Sequence, residues 1–381
     1  MPDHAGTGAG LSARRVDLVL GTSLGGVGRH VRSLVVDLVA RNARVVVHGP
    51  VATEETFRFS QVGAAFRPLD IRVGMAPVPA WRAARQLRHE LTGSALVHAH
   101  GIRAGLVTAT AVRRSTGKAR PPLLVTWHNI PMDAQRWPRV QRRLEARLAQ
   151  AAAVNLVVSP DLADRVRRLG GRDVRLHPVG SSPLPTPSRS RDDLRAELDA
   201  GDRPVLFALG RLHRQKGFDL LVEAAARWRE RSPQPLVVIA GDGPDRDGLA
   251  RTASRQHLDI RWLGYVADRT RIAELFCAAD LVVVPSRWEG SPLAVHEALS
   301  AGRPVVATPV GGLPALVGSD EVVFVPPDDP AALAAAVSRL LDQPDETAAV
   351  AAAGRRAVAR WPDEKAAAAA VAQVYAEVLH P

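Results

Sequence analysis

Two glutamates eight positions apart are the first candidates for chemistry in this chain. They bracket the segment Glu289-Gly-Ser-Pro-Leu-Ala-Val-His-Glu297, behind a strand-like run at 279–285. Ser291 is a favoured N-cap type, and Pro292 suits the first helical position, where its missing N–H costs nothing. Glu289 is then expected in the loop facing a helix N-terminus, with Glu297 about two turns into the helix. Free N–H groups between them favour an anion. Carboxylates accept hydrogen bonds from hydroxyls, so the arrangement suits a sugar joined to a nucleotide diphosphate.

Positive charge stands elsewhere in the same half. An apolar run at 205–209 ends in Gly210-Arg211, followed by Leu212-His213-Arg214-Gln215-Lys216-Gly217. Arg211 and Lys216 thus fall just past a strand's C-terminal end, where a leaving diphosphate needs fixed positive charge if no metal supplies it. Asp245-Arg246-Asp247 reads as a helix-start capping and dipole feature rather than a metal pair. Near the start, Gly25, Gly26 and Gly28 let backbone approach a ligand at a helix N-terminus, although the pattern is not Gly-x-Gly-x-x-Gly. His98 and His100 alternate along a strand end and share a face. His128 ends another strand, and each of these three reads as structural or catalytic from position alone. His296 faces away from Glu297 and reads as structural. No Ser/His/Asp set and no Cys/His metal spacing stands out.

These residues need parallel strands and crossover helices to position them. Apolar, β-branched runs occur at 16–20, 44–48, 95–98, 123–127 and 154–159, then at 205–209, 236–240, 260–263, 281–284, 305–307 and 322–325. Their helical spacing predicts an α/β fold with two doubly wound, Rossmann-like domains. Three Pro and four Ser/Thr at 180–188 cannot hold a helix or a central strand, which marks a hinge. The expected division is 1–185, 186–361 and a C-terminal helix within 362–381, with ligands beyond the C-terminal strand ends of two domains facing across a cleft. Periodicity does not say where that last helix packs.

Length and composition agree with this division. At 381 residues the chain exceeds one core. A single cysteine, Cys277, excludes an intrachain disulfide framework and fits a reducing compartment. No apolar leader precedes Arg14-Arg15 and no run of about 18 apolar residues occurs, so a cytoplasmic protein is expected. Residues 1–180 carry 27 Lys+Arg against 12 Asp+Glu, while the rest carry 23 against 27. That asymmetry fits an anionic partner, and equally the Arg- and Ala-heavy usage of a high-GC genome; no nucleic-acid motif accompanies it.

The order of these motifs resembles the retaining glycosyltransferases of family 4, which have the GT-B fold. The resemblance rests on Gly25-Gly26-Val27-Gly28, Val97-His98-Ala99-His100-Gly101, Thr126-Trp127-His128, Val158-Ser159, Gly210-Arg211…Lys216-Gly217, Gly241-Asp242-Gly243-Pro244, Leu263-Gly264-Tyr265 and Glu289-x7-Glu297 with Ala301–Thr308 behind it. It covers about 16–340 and is more specific in the second half. His177-Pro178-Val179-Gly180 departs from the Asn-Gly pair of many relatives.

The resemblance implies roles. Arg211 and Lys216 would hold the diphosphate, with the Gly26 backbone closing on it. Glu289 would bind sugar hydroxyls, Glu297 the ribose, and the backbone around Tyr265 the base, with Ser291 and Leu293 completing the donor set. His128 would line the reaction centre. No cofactor and no metal are expected. Partners would be a UDP- or GDP-linked sugar and a glycan, lipid or small-molecule acceptor, with no nucleic acid. The alternatives are a nucleotide-sugar epimerase of the same fold, or a non-catalytic binder of anionic lipid or polymer. For the basic half, Arg136, Arg139, Arg143 and Arg147 share a helical face, with Arg142 beside it, Leu144 and Leu148 on an apolar side and Trp137 as an interfacial anchor. This face suits a phosphorylated acceptor or an anionic membrane surface, the latter placing the protein peripherally on the inner face of a membrane.

Overall fold

The fold is described from a computed structural model, over residues 10–23, 25–71, 77–114, 120–130 and 138–380. Contacts divide the chain into two compact units, 1–180 with 362–381 and 181–361.

Unit 1 holds a seven-stranded sheet of β1 (Arg15–Leu20), β2 (Arg44–Gly49), β3 (Ala65–Pro68), β4 (Leu96–His100), β5 (Leu123–Trp127), β6 (Val154–Val157) and β7 (Val174–Leu176). Their order is β3-β2-β1-β4-β5-β6-β7, and every neighbouring pair is parallel. Crossovers carry α1 (Gly26–Ala40), α2 (Val51–Phe57), α3 (Pro77–Glu90), α4 (Ile102–Arg113), α5 (Pro138–Ala151) and α6 (Pro160–Arg168). The central strands β4, β5 and β6 are buried along their whole length. Helices on both faces explain why these strands are mainly apolar, with His98, His100, Thr126 and Asn155 as buried polar exceptions.

Unit 2 begins with α7 (Arg191–Glu197) and continues as β8 (Val205–Leu209), α8 (Phe218–Ala225), β9 (Leu236–Ala240), α9 (Arg246–Arg255), β10 (Ile260–Gly264), α10 (Arg269–Ala278), β11 (Leu281–Val284), α11 (Leu293–Ser300), β12 (Val305–Ala307), β13 (Val323–Phe324), α12 (Pro330–Asp342) and α13 (Pro344–Ala357). Its parallel sheet has the order β10-β9-β8-β11-β12-β13. Apolar residues on its two faces form separate cores, one around Leu206, Leu221 and Val337, the other around Phe207, Phe276 and Leu299.

The last helix, α14 (Glu364–Leu379), belongs to unit 1. Val371, Val374 and Tyr375 join the core with Val31, Leu34 and Val35 of α1. Burying each side chain contributes roughly 1.5–3 kcal/mol. Asp363 caps the helix by accepting from the Ala366 N–H at 2.6 Å. Arg175 beside β7 reaches Glu377 at 2.5 Å.

Three local features differ from the expectation. β3 and β7 are absent from the apolar pattern because both are edge strands whose side chains are mostly exposed or half-buried. β4 runs to His100 and brings both histidines into the sheet. Ser291 does not cap α11: Pro292 holds the cap position without a side-chain hydrogen bond. The Leu293 N–H donates to the Ser291 carbonyl at 2.9 Å and the Val295 N–H to the Pro292 carbonyl at 3.0 Å. Backbone carbonyls therefore satisfy two donors expected to face an anion. The helix starts at Leu293, so Glu297 lies one turn in instead of two.

Candidate active site

The sheet of unit 2 reverses its strand order between β8 and β11. Loops diverge at such a switch point, and open α/β sheets bind ligands there, outside the carboxyl ends of the strands. Lys216 arrives from the β8 side and Glu289 from the β11 side. The Lys216 ammonium donates to both carboxylate oxygens, at 2.7 and 2.8 Å. Glu289 is 4% exposed and receives a further hydrogen bond from Ser286 Oγ at 2.6 Å. Burying an unpaired carboxylate would cost several kcal/mol, and these donors offset that cost.

The two loops are also fastened through their backbones. Gly217, at φ +65°, ends the short turn Arg214–Lys216, and a Cβ there would stand 1.9 Å from the Pro285 carbonyl oxygen. Gly311, at φ +60°, passes so close to Glu289 that a Cβ would stand 1.7 Å from its carbonyl oxygen. The Gly312 N–H donates to that oxygen at 2.8 Å. Gln215 links the loops again, its amide donating to the Trp288 carbonyl at 3.1 Å.

Glu297 is also buried, at 3% exposed, and accepts from Arg269 Nη1 at 3.0 Å. Arg269 donates in turn to the Ser182 carbonyl at 3.2 Å. Arg211, just past β8, is exposed, and its side chain has no partner among the described residues. Tyr265 follows β10 and is 54% exposed. Ser291 and Leu293 are half-buried in the turn that opens α11. Asp245 is the cap residue of α9 without a side-chain cap, and Asp247 lies in its first turn. Among the described residues no group of three His, Cys, Asp or Glu side chains is arranged to hold a metal ion.

In unit 1 the order reverses between β1 and β4. The glycine-rich turn follows β1, and α1 starts at Gly26 with Gly25 before it. Ser23 Oγ accepts from the Gly28 N–H at 3.0 Å. Gly28 carries a packing constraint, because a Cβ there would come within 2.1 Å of the Phe57 ring. It lets α1 pack against the end of α2.

Four histidines meet beside this turn. The His98 ring lies 4.1 Å from that of His100, centroid to centroid. His100 Nδ1 is 3.2 Å from His128 Nε2. The His30 ring stands edge-on to both His100 and His128, at 5.7 Å. His98 is pinned at both nitrogens, by Tyr375 Oη at 2.6 Å and Thr126 Oγ1 at 2.7 Å. Burial, followed by the charge of neighbouring imidazoles, holds His98, His100 and His128 well below the usual histidine range. Burial and His177 lower His30 to about 4.

Sequence reasoning missed His30, Tyr375, Ser286 and Arg269, and carried Thr126 only within a motif. Two of them had a signal. His30 follows a glycine-rich turn by one helical turn, and Tyr375 is one of only 2 tyrosines, set in an alanine-rich helix. Arg269 and Ser286 gave none, since loop contacts between distant segments follow no periodicity.

Known proteins place this architecture. The family model described as Glycosyltransferase Family 4 matches residues 24–183, and that described as Glycosyl transferases group 1 matches 203–343. The putative teichuronic acid biosynthesis glycosyltransferase TuaC of Bacillus subtilis is 30% identical over 250 residues, covering 64% of this chain and 60% of that one. The alpha-D-kanosaminyltransferase of Streptomyces kanamyceticus is 27% identical over 350 residues, covering 81% and 89%. The match thus spans less than two thirds of the first relative's length and most of the second's. Among solved structures, Anabaena HepE in complex with UDP and glucose superposes with a TM-score of 0.81 at 19% identity, covering 96% of this chain and 100% of that one. Sucrose-phosphate synthase from Thermosynechococcus elongatus gives 0.76 at 23%, covering 96% and 99%. At these identities the structural likeness speaks to the fold. With one family model on each parallel sheet and this fold shared along nearly the whole chain, the protein belongs to the family 4-like glycosyltransferases of the GT-B fold.

Proposed function

We propose that this protein transfers a sugar from a nucleotide diphosphate donor, UDP- or GDP-linked, to the hydroxyl of a glycan, lipid or small-molecule acceptor. The reaction retains the anomeric configuration and uses no metal. The observation that carries this reading is the Lys216–Glu289 pair at the switch point of the second sheet. It sets a fixed cation beside a buried carboxylate, the two functions that a sugar diphosphate requires.

Arg211 and Lys216 stabilise the charge that grows on the leaving diphosphate, in place of a metal ion. Glu289 orients the sugar hydroxyls, Glu297 takes the ribose, and the backbone at Tyr265 meets the base, with Ser291 and Leu293 flanking the donor. In unit 1 the Gly26 backbone meets a diphosphate and His128 lines the transferred sugar. The bond from the anomeric carbon to the phosphate oxygen breaks, and its electron pair leaves with the phosphate. The acceptor oxygen bonds to the same face of that carbon, and its proton passes to the leaving phosphate.

The test is turnover of UDP-, GDP- and ADP-sugars to free nucleotide diphosphate, beside thermal stabilisation by each. A ligand at 100 times its Kd adds about 2.7 kcal/mol. Binding without turnover would favour a non-catalytic binder. Activity should survive excess chelator, and a loss restored only by Mg2+ or Mn2+ would reopen Asp245 and Asp247.

We further propose that the basic face of unit 1 docks on an anionic membrane surface. No helix among the described residues is long and apolar enough to cross a membrane. Arg139, Arg142, Arg143 and Arg147 on α5 are exposed, without partners among the described residues, and Val140 between them is 43% exposed. Arg136 and Trp137 lie outside the described residues.

A further inference from the structure

The contact between His100 and His128 has a direction, set by the neighbours of His100. A neutral imidazole carries one N–H and one lone pair, so the 3.2 Å contact from His100 Nδ1 to His128 Nε2 needs the proton on one side. Both rings are neutral near pH 7, since burial and the facing imidazoles hold them well below the usual range. The groups around them are His30 from α1, His98 from β4 and, behind His98, Thr126 from β5 and Tyr375 from α14.

Two arrangements are open. If His128 donates, the remaining proton of His100 sits on Nε2. That atom is buried and has no hydrogen-bond partner among the described residues. An N–H orphaned in this way is rare in folded proteins, and its desolvation is not repaid. If His100 donates from Nδ1, the atom left over on its buried ring is only a lone pair, and the unpartnered N–H falls instead on His128, whose side chain is half-buried. His98, pinned at both nitrogens, presents a fixed ring face to His100 and resists its rotation. The second arrangement leaves the His128 proton on Nδ1, which has no partner among the described residues.

We propose that His100 is a positioning residue that fixes the tautomer of His128, with the lone pair on Nε2 and the N–H on Nδ1. His128 therefore meets the transferred sugar as a hydrogen-bond donor and not as a base. This rests on the role given to His128 under the proposed function.

The test pairs a spectrum with kinetics. In protein labelled with 15N-histidine at about pH 7.5, the His128 resonances, assigned by their loss in His128→Gln, should show a single tautomer protonated at Nδ1. His100→Leu should release it to a mixture and lower kcat about 10- to 100-fold, with the donor KM nearly unchanged. His100→Asn, whose amide N–H takes the place of Nδ1–H, should recover most of the rate. A wild-type His128 protonated at Nε2, or the same tautomer after His100→Leu, would overturn the proposal. So would equal losses in the Leu and Asn variants. Full activity in His128→Ala would remove the reading beneath it, and the spectrum would still decide the tautomer by itself.

Discussion

Lys216 and Glu289 neutralise one another, yet the proposed chemistry asks each to serve a substrate. A diphosphate competes for the ammonium while Ser286 keeps the carboxylate in place. Arg211 is exposed and makes no such pair among the described residues. The two cations should therefore fail differently. Lys216→Ala strands a buried carboxylate, which costs about 3 kcal/mol of stability, and lowers turnover about 100- to 1000-fold. Arg211→Ala should lower turnover and donor affinity while leaving Tm unchanged, as read by thermal melts beside initial rates. Equal Tm losses in both variants would contradict this division. Glu297→Ala should weaken nucleotide binding more than kcat. The residue types at this site were legible in the sequence, but their pairing was not. Lys216 and Glu289 are 73 positions apart, and only the adjacency of β8 and β11 joins them.

At the scale of elements, the loop after β12 holds the Glu289 backbone through Gly311. Gly311→Ala must move that loop or Glu289 itself, because φ is positive and a carbonyl occupies the Cβ position. We expect a loss of donor affinity in this variant, measured by titration calorimetry, with the first unit's unfolding transition unchanged. The histidine cluster predicts the opposite localisation. In the unfolded chain His30 binds its proton near 6.5, but in the fold only near 4. Between those values the unfolded state holds more protons, so stability falls as pH drops from about 6.5 to about 4, on the order of 3 kcal/mol from His30 alone. Urea unfolding should show this loss in unit 1, and His30→Leu should flatten it; an unchanged slope would exclude His30 as the cause. Central strands were legible because burial on both faces demands mainly apolar runs. β3 and β7 were not, since an edge strand with exposed side chains obeys no such demand. The start of α11 escaped because carbonyls did the work of a capping side chain.

At the scale of the whole molecule, charge follows the sidedness of the first sheet. Helices on either side of the β1–β4 reversal cover opposite faces. α3 packs on α4 and α4 on α5, and Arg165 of α6 bonds Glu145 of α5 at 2.6 Å. Arg82, Arg85, Arg103, Arg113 and the arginines of α5 are exposed on this layer, where Trp81 is also 49% exposed. The face with α1, α2 and α14 is mixed in sign, with Glu54, Glu55, Glu364 and Glu377 beside Arg29, Arg32, Arg41 and Lys365. Liposome sedimentation should give binding that rises with anionic lipid and falls between low and physiological salt. Reversing the charge of Arg139 and Arg143 should reduce it, whereas equal partition onto neutral vesicles would reject an electrostatic dock.

Because α14 supplies Tyr375, Val371 and Val374 to the first unit, that unit is assembled from both ends of the chain. On a ribosome, the sheet and its strands emerge by residue 180, but their last core layer is about 200 residues away. At about 5–20 residues per second this is a wait of about 10–40 s. During it the second unit can fold completely while α1 keeps Val31, Leu34 and Val35 uncovered. The order of completion is thus the reverse of the order of synthesis, and His98 gains the hydroxyl that pins its ring only after the whole second unit has been made.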